Sequence, residues 1–160
     1  MADGAGTVPP FSEIFATHRK LVWSVACFHV AARQDREDLF QEIWEAIFHS
    51  LHQFAGRSRL STWIYSVARH TAQRYVTRHR PRGQPPRPEG GAPSPEEVVL
   101  SREALAHAMA SLTEPEVEII FFRYVGGHSY DELAEILNIP LSTVKARLFE
   151  ARRKIRDTRS

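Results

Sequence analysis

The sequence predicts an all-α protein made of two small helical domains joined by a flexible Pro/Gly-rich linker, and three observations carry that expectation. Apolar residues recur at three- and four-residue steps on both sides of the chain's midpoint. No stretch alternates apolar and polar residues as a half-buried strand would. Between the two periodic halves lies RPRGQPPRPEGGAPSPEE, whose Pro and Gly sustain neither helix nor strand and which holds almost nothing apolar to bury. Residues 81–95 are read as the linker, and about fifteen extended residues reach at most roughly 50 Å.

Taken in order, residues 1–10 (MADGAGTVPP) form an expected disordered N-terminus, and residues 11–80 the first domain. FSEIFATHRKLVWSVACFHV reads as an amphipathic helix. In 36–52, Leu39, Phe40, Ile43, Trp44, Ile47 and Leu51 mark a buried face, and Asp38, Gln41, Glu42, Glu45, His49 and His52 fall opposite. In 56–80, Leu60, Ile64, Val67, Thr71 and Tyr75 line one face with Trp63 and Ala68 at its edges. The other face holds Thr62, Ser66, Arg69, His70, Gln73 and Thr77, flanked by Tyr65.

The second domain, 96–160, carries clear helix starts. Thr113 with Glu116 makes a capping box with Pro115 in the first turn, and Ser129 with Glu132 makes another. Gly126–Gly127 separates these helices, Asn138 closes the second, and Pro140 opens a third from about Ser142 to Arg156. Short helices, a tight turn and a basic last helix make a helix-turn-helix unit. Val144, Leu148, Ala151 and Ile155 form the core stripe of the last helix. Thr143, Lys145, Ala146, Phe149, Glu150 and Arg153 face away, and Glu150 is placed for a surface pair with Lys154.

Composition narrows the function classes. The chain of 160 residues is 42% hydrophobic and 25% charged, with net charge +2, as in ordinary globular proteins. No apolar run reaches the roughly 18 residues of a membrane span. The N-terminus lacks the basic and apolar segments of a secretory signal, so a cytoplasmic location is expected. Cys27 is the only cysteine, which excludes an internal disulfide and any Cys-rich zinc finger. Glu45, His49 and His52 have helical spacing but no further ligand cluster, so no metal or cofactor is expected. No nucleophile–base pair, phosphate loop or paired-carboxylate motif stands out, and an enzyme is not indicated.

Charge is strongly segregated. Residues 35–45 (DREDLFQEIWE) are acidic, while from Ala46 to Pro88 there is no Asp or Glu although Arg recurs throughout. Such an acid-free, aromatic-rimmed segment attracts phosphates and can stack unpaired bases. The exposed side of the last helix suits a major groove, with Lys145 and Arg153 meeting phosphates or guanines, Phe149 a thymine methyl, and Glu150 a cytosine amino group. The acidic stripe Asp38, Gln41, Glu42 and Glu45 suits a basic partner.

DREDLFQEIWEAIFHSLHQFAGRSRLSTWIYSVARH resembles region 2 of bacterial sigma factors of the extracytoplasmic-function (ECF) type. LTEPEVEIIFFRYVGGHSYDELAEILNIPLSTVKARLFEARRKIR resembles their region 4. The resemblance implies a promoter-specificity subunit with core RNA polymerase and promoter DNA as partners. Asp38, Gln41, Glu42 and Glu45 would bind the β′ clamp helices, and region 4 the β flap. Arg57, Ser58, Arg59, Trp63, Tyr65, Arg69, His70 and Gln73 would line the opened −10 strand. Thr143, Lys145, Ala146, Phe149, Glu150 and Arg153 would read the −35 element. An anti-sigma factor is a further implied partner. The chain departs from frequent family residues at His70 (often Asn), Ser142 (often Gly), Ala146 (often Ser) and Glu150 (often Arg or His). The rival reading is a two-domain helix-turn-helix regulator that works without polymerase.

Overall fold

The computed structural model of the protein describes residues 7–79 and 107–158. Residues 7–10 have no regular secondary structure. The rest of the expected disordered N-terminus, the linker 81–95 and the start of the second domain lie outside the described residues. Contacts divide the chain into two compact units, Met1–Gly91 and Ala92–Ser160. Among the described residues there is no strand, in keeping with the all-α expectation.

The N-terminal unit consists of α1 (Phe11–His29), α2 (Arg33–Ser50) with a 3-10 turn at Leu51–Gln53, and α3 (Leu60–His79). Each helix packs against the other two. Pro10 fixes the entry to α1, where its carbonyl accepts from the Glu13 and Ile14 amides at 3.0 and 3.1 Å. Ile14, Val22, Val25, Ala26, Leu39, Ile43, Ile47 and Ile64 are all essentially inaccessible to water. Each large aliphatic side chain among them contributes about 1.5–3 kcal/mol of burial free energy. Ala68 and Ala72 supply the middle of the buried face of α3, where small side chains let the helix approach closely. Cys27 is buried packing, as its apolar setting implies. An unbroken chain of rings runs along the α1–α2 seam. Trp23 meets Phe40 at 5.5 Å, Phe15 meets Trp44 at 4.8 Å, and Phe11 meets both Trp44 at 5.8 Å and Phe48 at 5.2 Å.

In the C-terminal unit, residues 107–110 are helical, followed by α4 (Glu114–Tyr124), α5 (Tyr130–Leu137) and α6 (Leu141–Thr158). Both expected capping boxes are present. Glu116 Oε2 accepts from the Thr113 amide at 2.8 Å, and Ser129 and Glu132 satisfy one another's amides at 2.9 and 3.1 Å. Asn138 ends α5 in the left-handed region at φ 51° and ψ 49°, which a short amide side chain tolerates. The turn between α4 and α5 is anchored by His128, which is 3% exposed and lies 5.8 Å from the Phe122 ring. Arg123 Nη1 donates to the His128 carbonyl at 3.1 Å and its guanidinium sits 5.1 Å from the Tyr130 ring centre.

Lys154 does not pair with Glu150. Its ammonium instead meets both oxygens of Glu116 at 3.0 and 2.9 Å, joining α6 to α4. Helical spacing favours the nearest acid on the same helix, whereas tertiary packing offers a capped, half-buried carboxylate. Burial raises the Glu116 pKa, but the Thr113 amide and Lys154 outweigh it and hold the carboxyl below its ordinary value. A carboxyl with a lowered folded pKa stabilises the fold above the unfolded pKa, about 4.3, and that stability is lost as pH falls through the folded value. Chemical denaturation across pH should therefore show the C-terminal unit weakening below about pH 4.3. Glu116→Gln should flatten that limb and remove about 1 kcal/mol near neutrality. An acid limb untouched by the substitution would assign it to other carboxylates.

Candidate nucleic-acid interface

The loop between the 3-10 turn and α3 is shaped by Gly56, which has φ 70° and open space around it. A residue with a Cβ would be strained there. Phe54 packs on Trp63 at 5.5 Å, pinning the loop to the first turn of α3. The Arg59 carbonyl accepts from the Trp63 amide at 3.1 Å, so the helix begins directly behind Arg57, Ser58 and Arg59. All three are exposed, and no acidic residue occupies the first turn of α3. The positive end of the helix dipole and the flanking guanidiniums act together there on any approaching phosphate.

Further along α3, Ser66, His70, Gln73 and Thr77 are exposed, and Thr62, Trp63 and Arg69 are half-buried. Tyr65 is the exception among the sequence candidates. It is 7% exposed and belongs to the core rather than to the polar face. A phenol can bury its ring while finding a partner for its hydroxyl, so a helical wheel that treats Tyr as a rim residue misplaces it. Tyr75 is core as expected, stacked by His79 at 4.1 Å.

The acid-free character of this segment does not persist in three dimensions. Arg78 of α3 pairs with Glu42 of α2 and lies 5.9 Å from the Tyr75 ring centre. Burial first, and then the carboxylates of Asp35, Asp38 and Glu42, push the Tyr75 hydroxyl above its ordinary pKa. The carboxylates of α2 therefore offset part of the positive charge at the C-terminal turn of α3, while Arg74 stays exposed beside the basic loop and first part of the helix. On α2 itself, Asp38, Gln41 and Glu45 are exposed, while Glu42 is half-buried behind Arg78. Asp38 accepts from Gln34 Nε2 at 3.2 Å.

Sequence reasoning did not single out Arg78, because its partner is 36 residues away. It also passed over an open groove of about 590 Å³ lined by Arg19, Lys20, Trp23, Glu37 and Phe40. The visible signal there is Trp23, placed at three- and four-residue steps from two cations and left 38% exposed.

In the C-terminal unit, Val144, Leu148 and Ala151 of α6 are fully buried, and Ile155 closes the stripe half-buried. Lys145, Ala146 and Arg153 are exposed, Thr143 and Glu150 half-buried, and Phe149 is 56% exposed. Arg153 is not free. Its Nε and Nη2 donate to Glu150 Oε2 at 3.2 and 2.9 Å, and its Nη1 to Asp157 Oδ2 at 3.3 Å. The Glu150 pair, with Asp157 adding to it, raises the Arg153 pKa above its already high value. Arg152 is drawn sideways to the Tyr124 hydroxyl at 3.0 Å.

Two helical units, one with an acid-free loop and helix and one with a helix-turn-helix, match two family models in the same order. "Sigma-70 region 2" covers residues 14–82 and "Sigma-70, region 4" residues 102–155. The two units are thus of the sigma-factor class. The chain is 31% identical over 140 residues to the ECF RNA polymerase sigma-E factor of Haemophilus influenzae, covering 78% of this chain and 74% of that one. It is 32% identical over 139 residues to the ECF RNA polymerase sigma-E factor of Escherichia coli, covering 76% and 72%. The chain belongs to the ECF sigma factors, the subunits that bind core RNA polymerase and direct promoter recognition. Its fold is also like that of CnrH, solved in complex with the cytosolic domain of CnrY (TM-score 0.56, 20% identity, 96% of this chain and 90% of that chain). RpoE of Bartonella quintana, solved in complex with the anti-sigma factor NepR, is similar at TM-score 0.54 and 19% identity over 92% and 95%. Among the described residues, no helix is long and apolar enough to cross a membrane.

Proposed function

We propose that the two units divide promoter recognition between an unpaired strand and a duplex. The loop residues Arg57, Ser58 and Arg59, together with Trp63, Arg69, His70 and Gln73 of α3, take the opened −10 strand. The exposed side of α6 reads the −35 duplex through Thr143, Lys145, Ala146 and Phe149. Asp38, Gln41 and Glu45, with Glu42 once released from Arg78, dock on a basic surface of core polymerase, the β′ clamp helices, while the C-terminal unit meets the β flap. The observation that carries this reading is Phe149, a large apolar ring 56% exposed on the side of α6 opposite its core. Such a ring is costly in water and useful against a thymine methyl. Linkage of the two units raises the effective concentration of the second contact once the first has formed.

CnrH is solved in complex with the cytosolic domain of CnrY, and the B. quintana RpoE in complex with the anti-sigma factor NepR. By that likeness an anti-sigma factor is the further partner proposed here, acting in the cytoplasm. The chain acts as a regulatory subunit, with catalysis left to the polymerase.

Reconstituted run-off transcription tests the reading. Core polymerase plus this protein should initiate at a subset of genomic promoters. Failure at every promoter, combined with tight duplex binding by the protein alone, would favour an autonomous regulator. Within the C-terminal unit, Lys145→Ala should weaken binding to a −35 duplex about fivefold and reduce the slope of log affinity against log salt by about 1. Opening of a template with a pre-melted −10 element should be unaffected, and equal loss on both templates would point to misfolding.

A further inference from the structure

The pairing on α6 assigns different work to two residues that the sequence treats alike. Ala146, Glu150, Arg153 and Asp157 follow one another at steps of four, three and four, which places them on a single stripe away from Val144, Leu148 and Ala151. Arg153 sits between two carboxylates and holds both. Both of its bonds to Glu150 go to Oε2, and Oε1 accepts no hydrogen bond from any described residue. Glu150 therefore presents one fixed, unoccupied carboxylate oxygen on the stripe. The residue one turn before it is only a methyl group, so a base edge can approach.

We propose that Glu150, oriented by Arg153, selects cytosine at one position of the duplex element read by α6. The inference rests on the reading of α6 as the −35 helix and goes beyond it by making Glu150, held through one oxygen by Arg153, the base-selecting group and Arg153 its support. An ionised carboxylate only accepts hydrogen bonds. In the major groove the donors are the amino groups of cytosine and adenine, whereas guanine and thymine present acceptors that repel an anion. Adenine carries its N7 lone pair beside the amino group and is disfavoured as well. Cytosine carries a C–H there, so it alone offers a donor without an adjacent acceptor. Arg153 is a positioning residue, since two carboxylates already neutralise it and its reach toward phosphate or guanine is diminished.

The test uses holoenzyme assembled from core polymerase and the full chain. It is bound to a library of duplexes with a randomised upstream element and a pre-opened −10 element. The wild-type pool should be restricted to cytosine at one upstream position, with roughly tenfold discrimination over the other bases. Glu150→Gln should move that position alone from cytosine to adenine, because an amide can both donate to N7 and accept from the amino group. Arg153→Ala should blur the cytosine preference and leave the salt dependence of binding unchanged. A salt slope reduced by about 1 with the preference intact would make Arg153 a phosphate contact and overturn its assignment. Upstream enrichment identical in wild type and Glu150→Gln would overturn the proposal and spare the −35 reading. No upstream enrichment at all would overturn both.

Discussion

Phe122→Ala is expected to unfold the C-terminal unit and leave the N-terminal unit standing. Phe122 is the largest fully buried side chain of the protein's described residues, with Phe121 at 6.4 Å and His128 at 5.8 Å from its ring. Its loss removes the floor of the α4–α5 turn as well as core volume, and Phe→Ala changes of this kind cost about 3–5 kcal/mol. A unit this small buries little surface and has only several kcal/mol to lose. All three tryptophans, Trp23, Trp44 and Trp63, lie in the N-terminal unit, so their fluorescence isolates its melting. The variant should keep the wild-type fluorescence transition, lose part of its far-UV helical signal before heating, and lose binding to −35 duplex. A fluorescence transition shifted as far as the helical one would mean that the two cores do not fold independently.

Much of this architecture was legible because it rests on local chemistry. The capping boxes at Thr113 and Ser129 and the left-handed Asn138 depend on residues within a few positions of one another, and the helices they bound form where the sequence places them. The core stripes of α2 and α6 follow from helical periodicity alone. What the sequence concealed is what a wheel cannot hold. Lys154 prefers Glu116 across the unit to Glu150 beside it, and Arg78 reaches Glu42 from another helix. Tyr65 turns inward because its large ring gains from burial in the core. The acid-free run from Ala46 to Pro88 is real in sequence, yet its helix is flanked in space by the acids of α2. Charge segregation along a chain therefore marks a nucleic-acid face only up to the point where packing brings the other sign alongside.

That partly neutralised edge leads to the second large effect. Reversing both Asp38 and Glu42 to lysine should weaken binding to core polymerase by about 100-fold, since like charges brought together at an interface cost several kcal/mol. Asp38 carries most of this, being exposed and, among the described residues, held by Gln34 alone. Glu42 is different, because a partner cation must displace Arg78 before it can use that carboxylate. An exposed ion pair contributes at most about 1 kcal/mol, so Arg78→Ala should leave the fold intact and tighten polymerase binding by up to about fivefold. Competition titrations against labelled wild-type protein at two salt concentrations separate these contributions. Double reversal should lose its effect as screening rises, whereas a misfolded variant would stay weak at both salts. If the double variant binds within twofold of wild type, the acidic face of α2 is not the docking surface. If Arg78→Ala weakens binding instead, Arg78 is itself a polymerase or DNA contact, and Glu42 serves to hold it in place.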